Sequence, residues 1–243
     1  MIATQIGDGG IAEVIVDNPP VNALPAAGWL ALAETFGGLG RDPAVRVVIL
    51  RAEGRGFNAG VDIKELNAGG HPALLAANRG CFAAFAAVYE CAVPVIAAVH
   101  GYCLGGGIGL AGNADIIVAS QDATFGLPEV DRGALGAATH LSRLVPWHKA
   151  RAMMYTSATA TAAELHAFGS VLTVVPRDEL TATAHKLAAE IAAKDPNLIR
   201  LAKEAFNGID PQDVRRSYRY EQGFTFEATL SGAADRLRGE FGH

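Results

Sequence analysis

The chain has 243 residues, half of them hydrophobic and 19% charged, with a formal net charge of −5. That composition supports a sizeable core in one large domain, or one domain with an appendage, and excludes a disordered chain. The negative balance, with no long basic run, argues against nucleic acid as a partner. The most apolar stretch is broken by Pro94, His100 and many glycines, which argues against a membrane span.

The opening MIATQIGDGG has neither the basic nor the apolar region of a signal peptide. Ile2–Ile6 and Ile11–Asp17 flank Gly7-Asp8-Gly9-Gly10 and predict a hairpin, ended by Asn18-Pro19-Pro20. Pro25–Leu39 has helical spacing, with Trp29, Leu32, Phe36 and Leu39 on one side. Val45–Leu50 is a continuous apolar run and predicts a buried strand. The turn Phe57-Asn58-Ala59-Gly60-Val61-Asp62 and a short helix near Ile63–Leu66 follow, and Gly69-Gly70 with His71-Pro72 breaks that helix. Ala73–Tyr89 predicts a long amphipathic helix. Val93–Val99, the glycine run Gly105-Gly106-Gly107 and Ile116–Ala119 then repeat a strand–helix–strand order, and Thr124–Glu129 reads as extended. Helices are expected over Gly136–Leu144, His148–Tyr155 and Ala162–Phe168, the last capped by Thr161. After a strand at Val171–Val175, closed by Pro176, Asp178–Ala193, Asn197–Asn207 and Pro211–Leu230 are all helical. Alternating strands and helices imply an α/β class.

Two turns of one logic therefore recur, each a strand, a glycine turn and a helix. Three residues without Cβ let the backbone approach a ligand closely, and free N–H groups at a helix start favour negative charge. The two turns are read as halves of one site. Gly107-Ile108-Gly109-Leu110-Ala111-Gly112 also matches the dinucleotide fingerprint GxGxxG. It lacks the acidic residue that should close the following strand, because Asp122 is poorly placed for that role. Cys81, Cys91 and Cys103, odd in number and without metal-ligand spacing, read as reduced core thiols of a cytoplasmic protein. No metal and no redox cofactor are implied.

The segments GRGFNAGVDIKEL, VPVIAAVHGYCLGGGIGLAGNADIIVAS and ATFGLPEV, in that order, resemble the F-x-A-G-x-D, G-G-G and P-E segments of the crotonase (enoyl-CoA hydratase/isomerase) superfamily. FGSVLTVVP and IRLAKEAFN also fit. The resemblance implies a spiral of ββα units over residues 1–177, in the α/β (α+β) class. It implies a C-terminal helical section over 178–243 that packs in a homotrimer or dimer of trimers and closes the pocket. It further implies an acyl-CoA substrate, with coenzyme A entering only as part of that substrate, and a thioester oxygen held by the backbone N–H groups of Val61 and Gly106. Coenzyme A contacts would fall at Val21, Ala59, Val61, Asp62 and Ile63. Gly60, Gly105, Pro128 and Arg132 complete the expected substrate-binding set.

One departure stands out. Hydratases of the family carry a glutamate two residues after the glycine triplet, where this chain has Gly109; the second family glutamate is present as Glu129. The missing side chain is expected to widen the pocket. Asp131 is the first candidate to replace the lost acid, because Glu129 and Asp131 share a face in an extended segment; the alternative is a surface ion pair of Asp131 with Arg132. Asp62 is the second, or else a cap for the helix after it. His100 and His140 read as packed polar residues. Tyr218, Tyr220, Phe224 and Phe226 line either the acyl pocket or the core.

FNAGVDIKE, ANRGCFAAF, VYECAVPVIAAV, FGLPEVDRGALGAATHLSRLVP and YEQGFTFE resemble a subgroup, the crotonase-type hydrolases of bacterial steroid catabolism, which open the five-membered ring of an indane-dione carboxyl-CoA. That chemistry needs one carboxylate to activate water, the role expected of Glu129, with Asp131 or Asp62 delivering a proton. The alternatives are an enoyl-CoA hydratase or isomerase and, in another class, a non-catalytic acyl-CoA-binding protein.

Overall fold

The computed structural model describes residues 1–232; the end of the expected C-terminal section, residues 233–243, lies outside the described residues. The hairpin forms as expected, β1 (Ile2–Ile6) pairing antiparallel with β2 (Ile11–Val16). Helix α1 (Ala26–Arg41) leads to β3 (Val47–Ala52), and α2 (Ile63–Tyr89) to β4 (Val95–Val99). The short β5 (Tyr102–Leu104) and α3 (Gly106–Ala111) precede β6 (Ile116–Ser120) and β7 (Thr124–Gly126). Then come α4 (Ala138–Leu144), α5 (Trp147–Thr156), β8 (Thr159–Thr161), α6 (Ala162–Phe168) and β9 (Thr173–Val175). Three helices end the described chain: α7 (Leu180–Ala192), α8 (Pro196–Ile209) and α9 (Val214–Leu230).

The main sheet has six strands in the order β1-β2-β3-β4-β6-β9, parallel from β2 onward. Its central strands are buried on both faces, which explains their unbroken apolar runs. Val48 and Leu50 of β3, with Val95, Ala97 and Val99 of β4, face the larger core under α1 and α2. Val47, Ile49, Ile96 and Ala98 face Leu180, Ala184, Ala188 and Ala192 of α7, so the first C-terminal helix is the cover of the second sheet face. Each valine, leucine or isoleucine among them contributes about 1.5–3 kcal/mol by leaving water. A second sheet of three strands, β5-β7-β8, stands apart and carries the glycine run.

The expected break at Gly69–Pro72 is a kink within α2: Gly70 alone leaves helical geometry, at φ 56° and ψ −142°, and the helix resumes through Pro72. Thr161 caps α6 as expected, in a reciprocal pair with Glu164. The strands β5 and β8, of three residues each, escape a reading based on periodicity.

Candidate active site

The first turn is built around Asn58. Its Oδ1 accepts from the Gly60 amide at 2.8 Å, its Nδ2 donates to the Asn22 carbonyl at 2.5 Å, and its own carbonyl accepts from Leu104 N at 2.9 Å. Asn58 is fully buried, and its three bonds join the first turn, the loop bearing Val21 and β5. Leu24 brackets Val61 from the other side, donating to Gly60 O and accepting from Asp62 N. Among the described residues the Val61 amide donates to nothing.

The second turn lies directly against the first. A methyl group placed on Gly60 would sit 3.1 Å from Gly106 N. Gly106 is the first residue of α3, so its N–H has no preceding turn of helix to serve. Each member of the glycine run has a different neighbour that a Cβ would strike: Glu129 Oε1 at 2.4 Å for Gly105, the Trp29 ring at 2.6 Å for Gly106 and Asn58 O at 2.8 Å for Gly107. Gly105 also holds φ 56°, ψ −117°, which L side chains rarely adopt. Trp29 is fully buried and fixed by its Nε1–H to Leu24 O at 3.0 Å, so α1 supplies the floor of the second turn.

A cavity of about 130 Å³ opens over both turns. Ala59, Gly60, Val61 and Ile63 line it from the first turn, Gly105 and Gly106 from the second, and Pro128, Glu129 and Arg132 from the segment after β7. The remaining wall comes from α2, from the loop 133–137 and from α9. Three of the expected site residues are elsewhere. Val21 is outside the lining, in the loop that Asn58 ties down. Asp62 is also outside it and caps α2, its Oδ1 accepting from Lys64 N at 2.9 Å. Asp131 is exposed and does not line the cavity. The expectation that Asp131 shares a face with Glu129 rested on extended backbone; residues 130–132 instead form a 3₁₀ turn, which rotates Asp131 away.

Among the described residues Glu129 is the one acidic residue in the lining. Its carboxyl is buried, Oε2 has no hydrogen-bond partner among the described residues, and Oε1 abuts Gly105. Burial pushes its pKa up to about 8; its own backbone amide and the Arg132 charge pull the other way, and Glu221 adds to the rise. The Tyr218 hydroxyl and Cys81 thiol also feel the Glu129 charge, and both are driven upward chiefly by burial.

Glu221 of α9 is the residue that sequence reasoning missed. One oxygen accepts from Thr139 N at 2.8 Å and Thr139 Oγ1 at 2.9 Å, at the start of α4; the other is buried without a partner. Burial raises its pKa to about 7. One turn further on, Thr225 Oγ1 donates to Leu135 O at 2.7 Å. Helix α9 thus fastens the loop 133–137 at its middle, Leu135, and just beyond it, at Thr139 of α4. The segment YEQGFTFE contains Glu221 but gave it no role, and only its place on the helix face beside Tyr218, which does line the cavity, would have singled it out. Tyr220 and Phe224 are exposed.

Gly109 does not widen the cavity. It is buried in α3, and a Cβ there would lie 2.3 Å from the Phe85 ring, which occupies the space and itself forms cavity wall. Behind Phe85 lies His140, ring centroids 5.0 Å apart. Burial lowers its pKa to about 3, so the ring is neutral and structural. His100 is likewise buried, with Nε2 3.2 Å from Gly54 O. The GxGxxG glycines are spent inside α3 and on its packing, which leaves no dinucleotide loop.

The enoyl-CoA hydratase/isomerase family model matches residues 7–234. The chain belongs to the enoyl-CoA hydratase/isomerase family. A (7aS)-7a-methyl-1,5-dioxo-2,3,5,6,7,7a-hexahydro-1H-indene-carboxyl-CoA hydrolase of Rhodococcus jostii is 65% identical over 240 residues, covering 98% of this chain and 93% of that one. The Mycobacterium tuberculosis protein of the same name is 62% identical, covering 99% and 98%. An enoyl-CoA hydratase/isomerase of Xanthobacter autotrophicus, solved by crystallography, superposes with a TM-score of 0.86 at 28% identity, over 93% of this chain and 86% of that one. The fold is therefore the family's crotonase fold.

Proposed function

We propose that this enzyme hydrolyses a carbon–carbon bond in a bicyclic diketone acyl-CoA of the 1,5-dioxo-indene-carboxyl type, opening one ring. The observation that carries the reading is that Glu129 is, among the described residues, the single carboxyl of the cavity, while Phe85 fills the place of a second. The names of the relatives at 65% and 62% identity supply the substrate class.

In this reading ionised Glu129 takes a proton from water as the oxygen attacks a ring ketone. The ring bond breaks, the ketone carbon becomes a carboxylic acid, and the bond's electron pair is delocalised toward the thioester. The thioester oxygen takes up the charge between the Val61 and Gly106 amides, donors held in place before the reaction begins. Glu129 then returns its proton to carbon, so the sum is the addition of one water. One carboxyl suffices, because the proton it removes is the proton it gives back. Val21, Ala59, Asp62 and Ile63 are proposed coenzyme A contacts, and Gly60, Gly105, Pro128 and Arg132 the frame around the thioester and the acyl group. Mass spectrometry of products from the 1,5-dioxo bicyclic ester and from crotonoyl-CoA tests the assignment. Gain of one water with ring opening in the first, and little turnover of the second, is the expected result. Fast hydration of crotonoyl-CoA alone would make the enzyme a hydratase.

Self-association is part of the proposal. Helix α8 faces inward with its polar side: Arg200 donates to the carbonyls of Gly40, Asp42 and Val45, and Lys203 Nζ to Asp115 at 2.5 Å. Its apolar residues Leu198, Leu201, Phe206 and Ile209 are 60–75% exposed. Such a face supports packing against further copies, in the trimer or dimer of trimers that the family resemblance implies. No helix among the described residues is long and apolar enough to cross a membrane, and three free buried thiols suit a reducing cytoplasm.

A further inference from the structure

The wall that α2 gives to the cavity is apolar at Leu74, Ala77 and Phe85, with one amide among them, Asn78. Its Nδ2 is buried and has no hydrogen-bond partner among the described residues. An unpaired buried donor is costly, so its presence in an apolar wall calls for a partner that arrives with the ligand.

The direction in which that amide points is set by a chain of bonds behind it. Arg219 can only donate, and its guanidinium donates to Gln222 Oε1 at 3.1 Å. That fixes the Gln222 amide, whose Nε2 donates to Asn78 O at 2.8 Å and to Asn78 Oδ1 at 3.2 Å. Asn78 Oδ1 is thereby used as an acceptor, and Nδ2 is left as the free end. Gln222 is 1% exposed and does not line the cavity, so it orients Asn78 without touching the substrate.

We propose that Asn78 is the specificity residue for an oxo group of the acyl moiety, donating from Nδ2 to a ring ketone, with Gln222 and Arg219 as positioning residues behind it. This rests on the acyl-CoA hydrolase reading above and adds to it the recognition of the second carbonyl. A ketone can only accept, and the device presents only a donor. The thioester oxygen is served separately by Val61 and Gly106, and Glu129 serves the reacting carbon.

The test is binding in the Glu129→Gln background, in which turnover is blocked, to two CoA esters of one carbon skeleton. One carries both ring oxo groups and the other has methylene in their place. Asn78→Leu should weaken the dioxo ester roughly 10- to 100-fold and leave the methylene ester within about twofold. Gln222→Glu replaces no cavity-lining side chain, although Gln222 also hydrogen-bonds Tyr218 of the lining, and it offers Asn78 an acceptor, so the Asn78 amide turns and presents Oδ1 inward. It should weaken the dioxo ester and spare the methylene ester in the same way, and it decides the matter if Asn78→Leu does not fold. Equal weakening of both esters, or no change in either, overturns the proposal. Failure of the wild type to open the dioxo ester would instead overturn the hydrolase reading, and the ratio of the two affinities would still report on Asn78.

Discussion

A carboxyl that must leave water to do its work gains basicity and loses readiness, and Glu129 shows both effects. With its pKa near 8, only the minority of molecules holding it ionised at neutral pH can activate water. The value of kcat/KM on the cognate ester should therefore rise with pH and level off above about 8, as a pH–rate profile would show. Glu129→Gln should lower kcat by roughly 10²–10⁴-fold, the usual worth of a positioned base. Stability moves the other way. The folded protein holds this proton more tightly than the unfolded chain, whose carboxyl titrates near the ordinary 4.5, so stability falls as pH rises between 4.5 and about 8. Glu129→Gln should melt a few degrees higher than wild type at pH 8.5, with the gain vanishing toward pH 4.5. A scan of melting temperature against pH in both proteins reads this directly, and a gain independent of pH would dissociate Glu129 from the effect.

The elements hold the site through a few polar fasteners. Asn58 joins the two turns, and Glu221 with Thr225 joins α9 to the loop 133–137. Glu221 also lends its charge to the field at Glu129, so Glu221→Gln should move the midpoint of the pH–rate profile downward, while Thr225→Val should leave that midpoint in place and act on KM. Equal midpoints in the wild type and Glu221→Gln would separate Glu221 from the electrostatics of the base. Both glycine turns were legible in the sequence, since each is a compact local motif: a strand, a turn whose residues need bare backbone, and a helix start; Glu129 stood out only through the family resemblance of its P-E segment. The fasteners were not legible. Glu221 lies 92 positions beyond Glu129 in the numbering, and nothing local distinguishes a glutamate that caps a distant helix from one on a solvated face. Asp131 failed for a related reason, because period-two alternation holds only while the backbone stays extended.

At the scale of the whole molecule, the strands of the sheet could be read from their apolar runs, and the layering could not. Helix α7 belongs to the core, whereas α8 has its polar side inward and its apolar side in water. Amphipathic spacing is the same for both, and only tertiary context says which side is covered. Leu201→Glu together with Phe206→Glu should therefore reduce the proposed oligomer to smaller species in size-exclusion chromatography with light scattering, without loss of helix content. An unchanged mass would show that α8 is not the contact.

The contact between Gly109 and Phe85 bears on how reaction types can be exchanged within this family. Introducing a second carboxylate by Gly109→Glu alone should destabilise the protein, because the ring edge lies 2.3 Å from where the new Cβ must go. Phe85→Ala alone should also destabilise, by about 3–5 kcal/mol for a buried ring. Made together, the two changes relieve one another, and a double-mutant cycle should give a coupling of about 0.5–3 kcal/mol in the favourable sense. Neither step is favourable first, so a lineage that holds glycine at 109 and phenylalanine at 85 is kept from acquiring a second carboxylate there by single substitutions.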